Sequence, residues 1–165
     1  MRRGSLYAKA KELGCNKISL GHHLNDVIET TLMAMMNSSQ LQGMLPKLKS
    51  TNFAGMELIR PLYCVKEDDI ISFDKANDLE FIRCACRMTE NRPENEGSSK
   101  RKEVKMLLRQ LRSVNPAVDM NIFRSAENVN LRKLISYHDG STYHHFLDDY
   151  DQGFTVSGTK NPGKT

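Results

Sequence analysis

Apolar residues recur at helical spacing in three stretches of the first half of the chain. This spacing predicts three amphipathic helices, over residues 5–13, 26–36 and 66–76. In the third helix, Ile70, Phe73 and Ala76 are expected to face inward. Short β-prone runs between the helices predict two strands, at residues 18–20 and 57–62. Strands that alternate with helices indicate an α/β fold with a partial parallel sheet.

The rest of the chain is less regular. Residues 40–55, which contain glycine and proline, are predicted to be irregular, and a polar loop is predicted from residue 83. An apolar stripe then predicts a helix over 100–111, and Pro116 opens another that ends near residue 127. The predicted organisation has three parts: a partial α/β domain (1–82), a cysteine loop with a basic helical segment of the same domain (83–147), and a disordered tail (148–165).

The composition is that of an ordinary globular chain. With 165 residues, 39% hydrophobic and 27% charged, the sequence is long enough for one modest domain. It has no apolar run of transmembrane length and no signal-peptide pattern, so a cytoplasmic protein without a membrane partner is expected. The four cysteines do not resemble a secreted disulfide framework, and Cys15 and Cys64 are expected to be core residues.

Positive charge is concentrated in one stretch of a chain whose net charge is +4. Twelve Lys or Arg and six Asp or Glu lie between Arg83 and Leu134. Such a segment is typical of a protein that binds a phosphate backbone, although a solvated helix face carries the same signature. A helix N-terminus with clustered basic residues suits RNA phosphates, and the candidates for these contacts are Arg2, Arg3, Lys100, Arg101 and Lys102.

The first predicted strand ends in Gly21, His22 and His23, and Asp26 opens the helix that follows. Ligands of open α/β sheets bind in the crevice past the carboxyl ends of the strands. The positive N-terminus of the helix suits phosphates at that point, and a carboxylate suits a divalent cation. This arrangement is typical of one half of a nucleotide-binding site. The alternative is a histidine pair whose hydrogen bonds are satisfied within a turn, and the arrangement favours the nucleotide site.

The run LGHHLNDVIET resembles the second signature, GHxxDDxxET, of the PP-loop enzymes, or N-type ATP pyrophosphatases. Seven ordered blocks extend the resemblance to the tRNA 2-thiocytidine synthetase family of tRNA sulfurtransferases, from Met1 to about Asp151: MRRGSLY, ELGCNKISLGHH, MLPKLKS, ELIRPLYCVKEDDI, IRCAC, SSKRKEVK and NIFRSAENVNL. The family's SGGxDS loop and its C-x-x-C pair do not occur in this sequence. We therefore expect the C-terminal part of a longer enzyme, or a truncated product.

This resemblance implies an adenine-nucleotide α-hydrolase-like fold that binds ATP and Mg²⁺. Gly21, His22, His23 and Asp26 would border the ATP phosphates and the reacting carbonyl group. The first acid of the family's DD pair is Asn25 here, and an amide lacks the charge of a carboxylate. The resemblance therefore leaves Mg²⁺ to Asp26 alone.

The resemblance also implies an iron–sulfur cofactor and a reaction. Cys84 aligns with the third ligand of a [4Fe–4S] cluster, and the C-x-C spacing leaves open whether Cys84 or Cys86 is the ligand. The implied reaction adenylates the C2 oxygen of a pyrimidine in tRNA and replaces it with sulfur from an unspecified donor. The chain alone is expected to be inactive. A homodimer is possible. The alternatives are a PP-loop enzyme of the tRNA lysidine or amidotransferase type, and a non-catalytic RNA-binding remnant.

Overall fold

The computed structural model describes residues 2–79, 96–148 and 150, and of residues 2, 3 and 96–99 it describes only the backbone. The helices and strands in these ranges are, in chain order, α1 (Arg2–Glu12), β1 (Lys17–Ser19), α2 (Leu24–Ser38), β2 (Lys47–Lys49), β3 (Glu57–Ile59), α3 (Glu67–Ala76), α4 (Glu96–Val114), α5 (Val118–Ser125), β4 (Ser136–Asp139) and β5 (Thr142–His145). None of these helices combines the length and the apolar character that crossing a membrane requires.

A three-stranded sheet with the order β1–β3–β2 is the centre of the α/β part. β1 and β3 are parallel, with Ile18 opposite Leu58, which confirms that the two predicted strands belong to one parallel sheet. β3 ends at Ile59, earlier than predicted, because the chain turns at Pro61, which has no N–H to donate. β2 pairs antiparallel with β3, so the sheet is mixed.

The hydrophobic pattern does not predict β2. All three of its residues are exposed, so the strand has no apolar face that a pattern of alternation could reveal. Its backbone pairing with β3, in which Leu48 lies opposite Leu58, is what makes it a strand. The irregular segment expected over residues 40–55 therefore contains a short edge strand.

Helices α2, α4 and α5 share the larger core cluster. Its buried members are Leu24, Val27, Ile28, Val104, Leu108 and Phe123. A second cluster, between α1 and the sheet, consists of Tyr7, Ile18, Met56 and Leu58. In the apolar stripe predicted for α2, Val27, Ile28 and Thr31 are buried and Leu32 is half-buried, but Met35 is 50% exposed, so the stripe is covered over all but its C-terminal end. The end of β1 and the start of α2 are each supported by a packed core.

The prediction that the apolar side chains of α3 face inward is wrong. The helix forms where expected, but none of its residues is buried, and Phe73 is 63% exposed. Ala76 is exposed as well, and Ile70 is half-buried. Helical spacing identifies an apolar stripe on a helix, whereas burial requires another element to cover that stripe.

The assignment of Cys15 and Cys64 to the core is also wrong, because both side chains are exposed. Cys15 follows Gly14, which has a positive φ of 72° in the turn after α1. Cys64 ends the turn that begins at Pro61. Both cysteines lie in surface connections, where the tendency of this residue type to be buried does not decide their exposure.

The chain divides into two compact units, residues 1–127 and the part from Asn128 onward. The second unit contains the β4–β5 hairpin, which turns at Gly140 with a φ of 59°. Tyr137 and His144, directly opposite each other in this hairpin, stack with ring centroids 4.7 Å apart. The sequence pattern does not predict these strands, because their two faces do not separate into apolar and polar sides.

Candidate functional site

The predicted site residues lie where β1 leads into α2. The Leu20 N–H donates to the Ile59 carbonyl oxygen at 3.0 Å, so the pairing of β1 with β3 continues past the last strand residue. Gly21 and His22 follow at this carboxyl edge, as expected. The Leu24 N–H, at the first position of α2, donates to the Val65 carbonyl oxygen at 2.9 Å and ties the start of the helix to the segment after β3.

His23 is the N-cap residue of α2, with extended backbone angles (φ −118°, ψ 178°). Its backbone N–H donates to Asp26 Oδ2 at 3.1 Å, which satisfies one of the amides that a helix N-terminus leaves without a partner. Its ring Nε2 lies 3.4 Å from the same oxygen. Within the described residues, Nδ1 of this ring is buried and has no hydrogen-bond partner. His23 and Asp26 thus have a structural role at the helix start.

Asp26 and Glu29, one turn apart on α2, hold a guanidinium group from α4. Arg101 donates through Nη2 to Asp26 Oδ1, and its Nε lies 2.7 Å from Glu29 Oε2. Lys105 Nζ lies 3.6 Å from the other Glu29 oxygen. Burial acts to lower the pKa of Arg101, but the hydrogen bond and charge of Glu29, helped by Asp26, outweigh it and raise that pKa. Two predicted site residues, Asp26 and Arg101, therefore contact each other.

Arg60 also lies at the candidate site, although no sequence motif points to it. It follows β3, and its side chain is buried beside the end of β1. Its Nε lies 3.3 Å from His22 Nδ1, and its Nη1 donates to the Leu45 carbonyl oxygen. Its position in the sequence could have identified it. The carboxyl ends of neighbouring parallel strands lie at one edge of a sheet, so a charged residue after β3 would lie near the histidines after β1.

Asn25, the amide at the expected acid position, links two helices. Its Oδ1 accepts a hydrogen bond at 3.2 Å from the backbone N–H of Glu67, the first residue of α3. This interaction satisfies an amide at the N-terminus of α3. The residue that departs from the family signature therefore contributes to packing at the site, without adding charge.

The other predicted site residues are distributed as follows. Arg2 and Arg3 lie in α1, and on α4 the Lys100 side chain is half-buried and Lys102 is exposed. Cys84 and Cys86 lie outside the described residues. In the described part of the chain, no three His, Cys, Asp or Glu side chains are grouped so that they could hold a metal ion.

Residues 1–90, which include β1, the two histidines and α2, match the family model of the PP-loop domain. The chain belongs to the PP-loop family. Two curated relatives are named tRNA-cytidine(32) 2-sulfurtransferase. The one from Geobacter metallireducens is 37% identical to this chain, and the one from Syntrophotalea carbinolica is 38% identical. Each alignment covers 82% of this chain and 50% of the relative. A tRNA-cytidine(32) 2-sulfurtransferase 1 from Francisella philomiragia is 40% identical over 78% of this chain and 48% of its own length. This PP-loop chain spans about half the length of the curated relatives it matches.

A solved structure has a related fold. The U34-tRNA thiolase NcsA from Methanococcus maripaludis, with its [4Fe-4S] cluster, superimposes with a TM-score of 0.57 over 76% of this chain and 40% of that one. At 22% identity this likeness shows the fold alone. The predicted fold class and the predicted resemblance to PP-loop tRNA sulfurtransferases are both confirmed.

Proposed function

We propose that this PP-loop chain is part of an ATP-dependent tRNA sulfurtransferase and that its strand-end site binds the phosphates of ATP. The observation that carries the proposal is the convergence of His22, His23 and Asp26 at the carboxyl ends of two parallel strands, at the N-terminus of α2. Backbone amides, ring N–H groups and the helix dipole are suited to anionic oxygens. The names of the relatives support a cytidine in tRNA as the substrate.

In the proposed reaction the pyrimidine C2 oxygen attacks the α-phosphate of ATP, and pyrophosphate leaves. A sulfur nucleophile at the oxidation level of sulfide, from an unspecified donor, then adds to C2, and AMP leaves with the former C2 oxygen. The histidines would donate hydrogen bonds to the oxygens on which charge develops, the type of interaction that lowers such barriers. Among the described residues, apart from Gly21 and its two chain neighbours, no heavy atom lies within 4 Å of the position that a Cβ would take, so a substrate can approach the backbone there.

Asp26 is the proposed ligand of Mg²⁺. Mg²⁺ commonly binds through one or two carboxylates together with water and substrate phosphates, so a single aspartate fits. When bound, the ion would neutralise phosphate charge. Asp26 Oδ1 accepts a hydrogen bond from Arg101, and this guanidinium would keep its second partner, Glu29, if the ion took its place.

Cys84 or Cys86 is the proposed contribution of this chain to a [4Fe–4S] cluster. A cubane needs at least three thiolates to be held with one open iron, and a C-x-C pair supplies too few. The proposal therefore requires the C-x-x-C pair that the sequence of this chain does not contain. Lys100 and Lys102 of α4 are the proposed contacts to the tRNA backbone, and a tRNA substrate would place the activity in the cytoplasm.

A chimera tests the proposed function. The 135 residues of the Geobacter metallireducens relative that align with this chain would be replaced by those of this chain, and 2-thiocytidine in tRNA would be measured by mass spectrometry. We expect thiolation, and its loss in the same chimera carrying His22→Ala. A folded chimera that binds ATP and tRNA without forming thiocytidine would contradict the proposal. Binding of tRNA without ATP would instead favour the non-catalytic RNA-binding alternative.

A further inference from the structure

Arg60 and His22 form a contact between residues 38 positions apart in the sequence. Arg60 is only 9% exposed, although it carries a charge that must be compensated when it is buried. Its guanidinium is held through Nη1 by the carbonyl oxygen of Leu45, and its Nε points at His22 Nδ1. The guanidinium therefore has a fixed orientation against the imidazole ring.

This contact determines which ring nitrogen of His22 carries the proton. The nitrogens of an arginine side chain only donate hydrogen bonds, so His22 Nδ1 must accept the bond from Arg60 Nε. An accepting Nδ1 is unprotonated, and the proton of the neutral ring is then on Nε2. A doubly protonated ring would place two N–H groups and two positive charges against each other.

We propose that Arg60 is a positioning residue that keeps His22 neutral, with its proton on Nε2, as a hydrogen-bond donor at the strand ends. The part of the proposal that concerns the acceptor rests on the proposed function: the acceptor is an anionic oxygen of the bound nucleotide. A neutral donor strengthens its hydrogen bond as charge develops on that oxygen. The tautomer itself follows from the contact with Arg60 and does not depend on the ligand.

The neighbouring histidine provides an internal contrast. His23 Nε2 lies beside the carboxylate of Asp26, which accepts hydrogen bonds, so that contact is compatible with the neutral Nε2–H form and with the doubly protonated form. His22 lies beside a cation that donates. The two adjacent histidines therefore contact groups of opposite charge, and the contact with Arg60 requires His22 Nδ1 to be the accepting nitrogen.

Two-bond ¹H–¹⁵N spectra of the chain labelled with ¹⁵N-histidine test the tautomer. The sequence has five histidines, and His22→Gln identifies the signals of His22 by their loss. Near neutral pH we expect Nδ1 of His22 to be unprotonated and Nε2 to be protonated. Arg60→Gln keeps an N–H donor and should preserve this pattern, whereas Arg60→Met should give a mixture of tautomers. A protonated Nδ1 in the wild-type chain would overturn the proposal.

Two safeguards keep this test decisive. Amide spectra report whether Arg60→Met folds, and if it does not, the wild-type and Arg60→Gln spectra still decide the tautomer. Calorimetric titration of the chimera with ATP and Mg²⁺ tests the role: in that background His22→Gln and Arg60→Met should each weaken binding about tenfold, and the double variant no further. Additive losses would mean that Arg60 acts independently of His22, against the proposal. The expected tautomer in a chimera that carries the wild-type sequence of this chain and does not bind ATP would contradict the proposed function and leave the tautomer assignment intact.

Discussion

Arg101 on α4 forms an ion pair with Glu29 on α2, with Arg101 Nε 2.7 Å from Glu29 Oε2 and Glu29 only 3% exposed. A carboxylate this deeply buried is stable only when it is paired. The same guanidinium bonds Asp26, so the basic helix is fastened to the helix that begins at the strand-end histidines. Of the three basic residues predicted to contact RNA on α4, this one already has two acidic partners within the protein.

Arg101→Ala should destabilise the chain by about 1–3 kcal/mol, because it leaves Glu29 buried without its main partner. The value is below that of a fully buried pair, since the arginine side chain is 45% exposed and solvent screens the interaction. Urea unfolding measures the change. Arg109→Ala, at an exposed position of the same helix, is the matched control and should change stability by less than about 0.5 kcal/mol.

A second substitution tests the cause of that loss. Glu29→Gln in the Arg101→Ala background removes the buried charge that has lost its main partner, so it should recover part of the lost stability. Equal stabilities of Arg101→Ala and Arg109→Ala would show that the ion pair contributes nothing. A further loss upon adding Glu29→Gln would show that the charge is not what destabilises the single variant.

Replacement of Lys100 and Lys102 by alanine should weaken tRNA binding regardless of sequence. Each phosphate contact that is lost should reduce the slope of log K against log salt concentration by about 1. Filter binding at several salt concentrations measures this slope. Lys17→Ala with Lys47→Ala is the control, because those ammonium groups lie 3.8 Å and 3.3 Å from Glu57 on the sheet. An unchanged slope in the α4 variant would indicate that this face of the helix is solvated and does not contact RNA phosphates.

Ile28→Ala should destabilise the chain by about 2–5 kcal/mol, because it opens a cavity where α2 meets α4 and α5. The Ile28 side chain is 0% exposed. Ile71→Ala makes the same chemical change on α3 at a side chain that is 44% exposed, so it should cost less than about 1 kcal/mol. Similar urea midpoints for the two variants would contradict the burial of Ile28 between α2, α4 and α5.

Loss of the Tyr63 proton should make the folded chain less stable at alkaline pH. Its hydroxyl donates to the Met44 carbonyl oxygen at 2.7 Å, and burial, followed by the charges of Cys64 and Glu127, raises its pKa from the ordinary value of 10.0. The unfolded chain therefore loses this proton at lower pH than the folded chain does. Stability should fall as the pH rises from about 10 through the raised pKa of the folded state.

The measurement is the urea midpoint at about pH 9 and about pH 10.5, compared with that of Tyr63→Phe, which has no proton to lose. Part of the loss of stability between these two pH values should be absent in this variant. Tyr150→Phe, at a side chain that is 70% exposed, should keep the full loss of the wild-type chain. Identical pH dependence of Tyr63→Phe and the wild type would contradict the prediction.

Sequence alone determined the elements whose patterns are local. The run from Ile18 through Gly21 to Asp26 predicts a strand, a turn and a helix N-terminus, because β-propensity, a glycine and helical spacing each act within a few residues. The ordered motifs then identified the PP-loop family, and parallel pairing of β1 with β3 followed from the alternation of strands and helices.

Tertiary structure decided which side chains meet and which are covered. The three residues of β2 form a strand only through pairing with β3, and the apolar stripe of α3 stays uncovered although its spacing is helical. Arg60 reaches His22 across 38 positions, and Arg101 reaches Glu29 across 72. Ion pairs and hydrogen bonds act over a few ångströms in space, and no local pattern of residues records which distant partners folding will bring within that range.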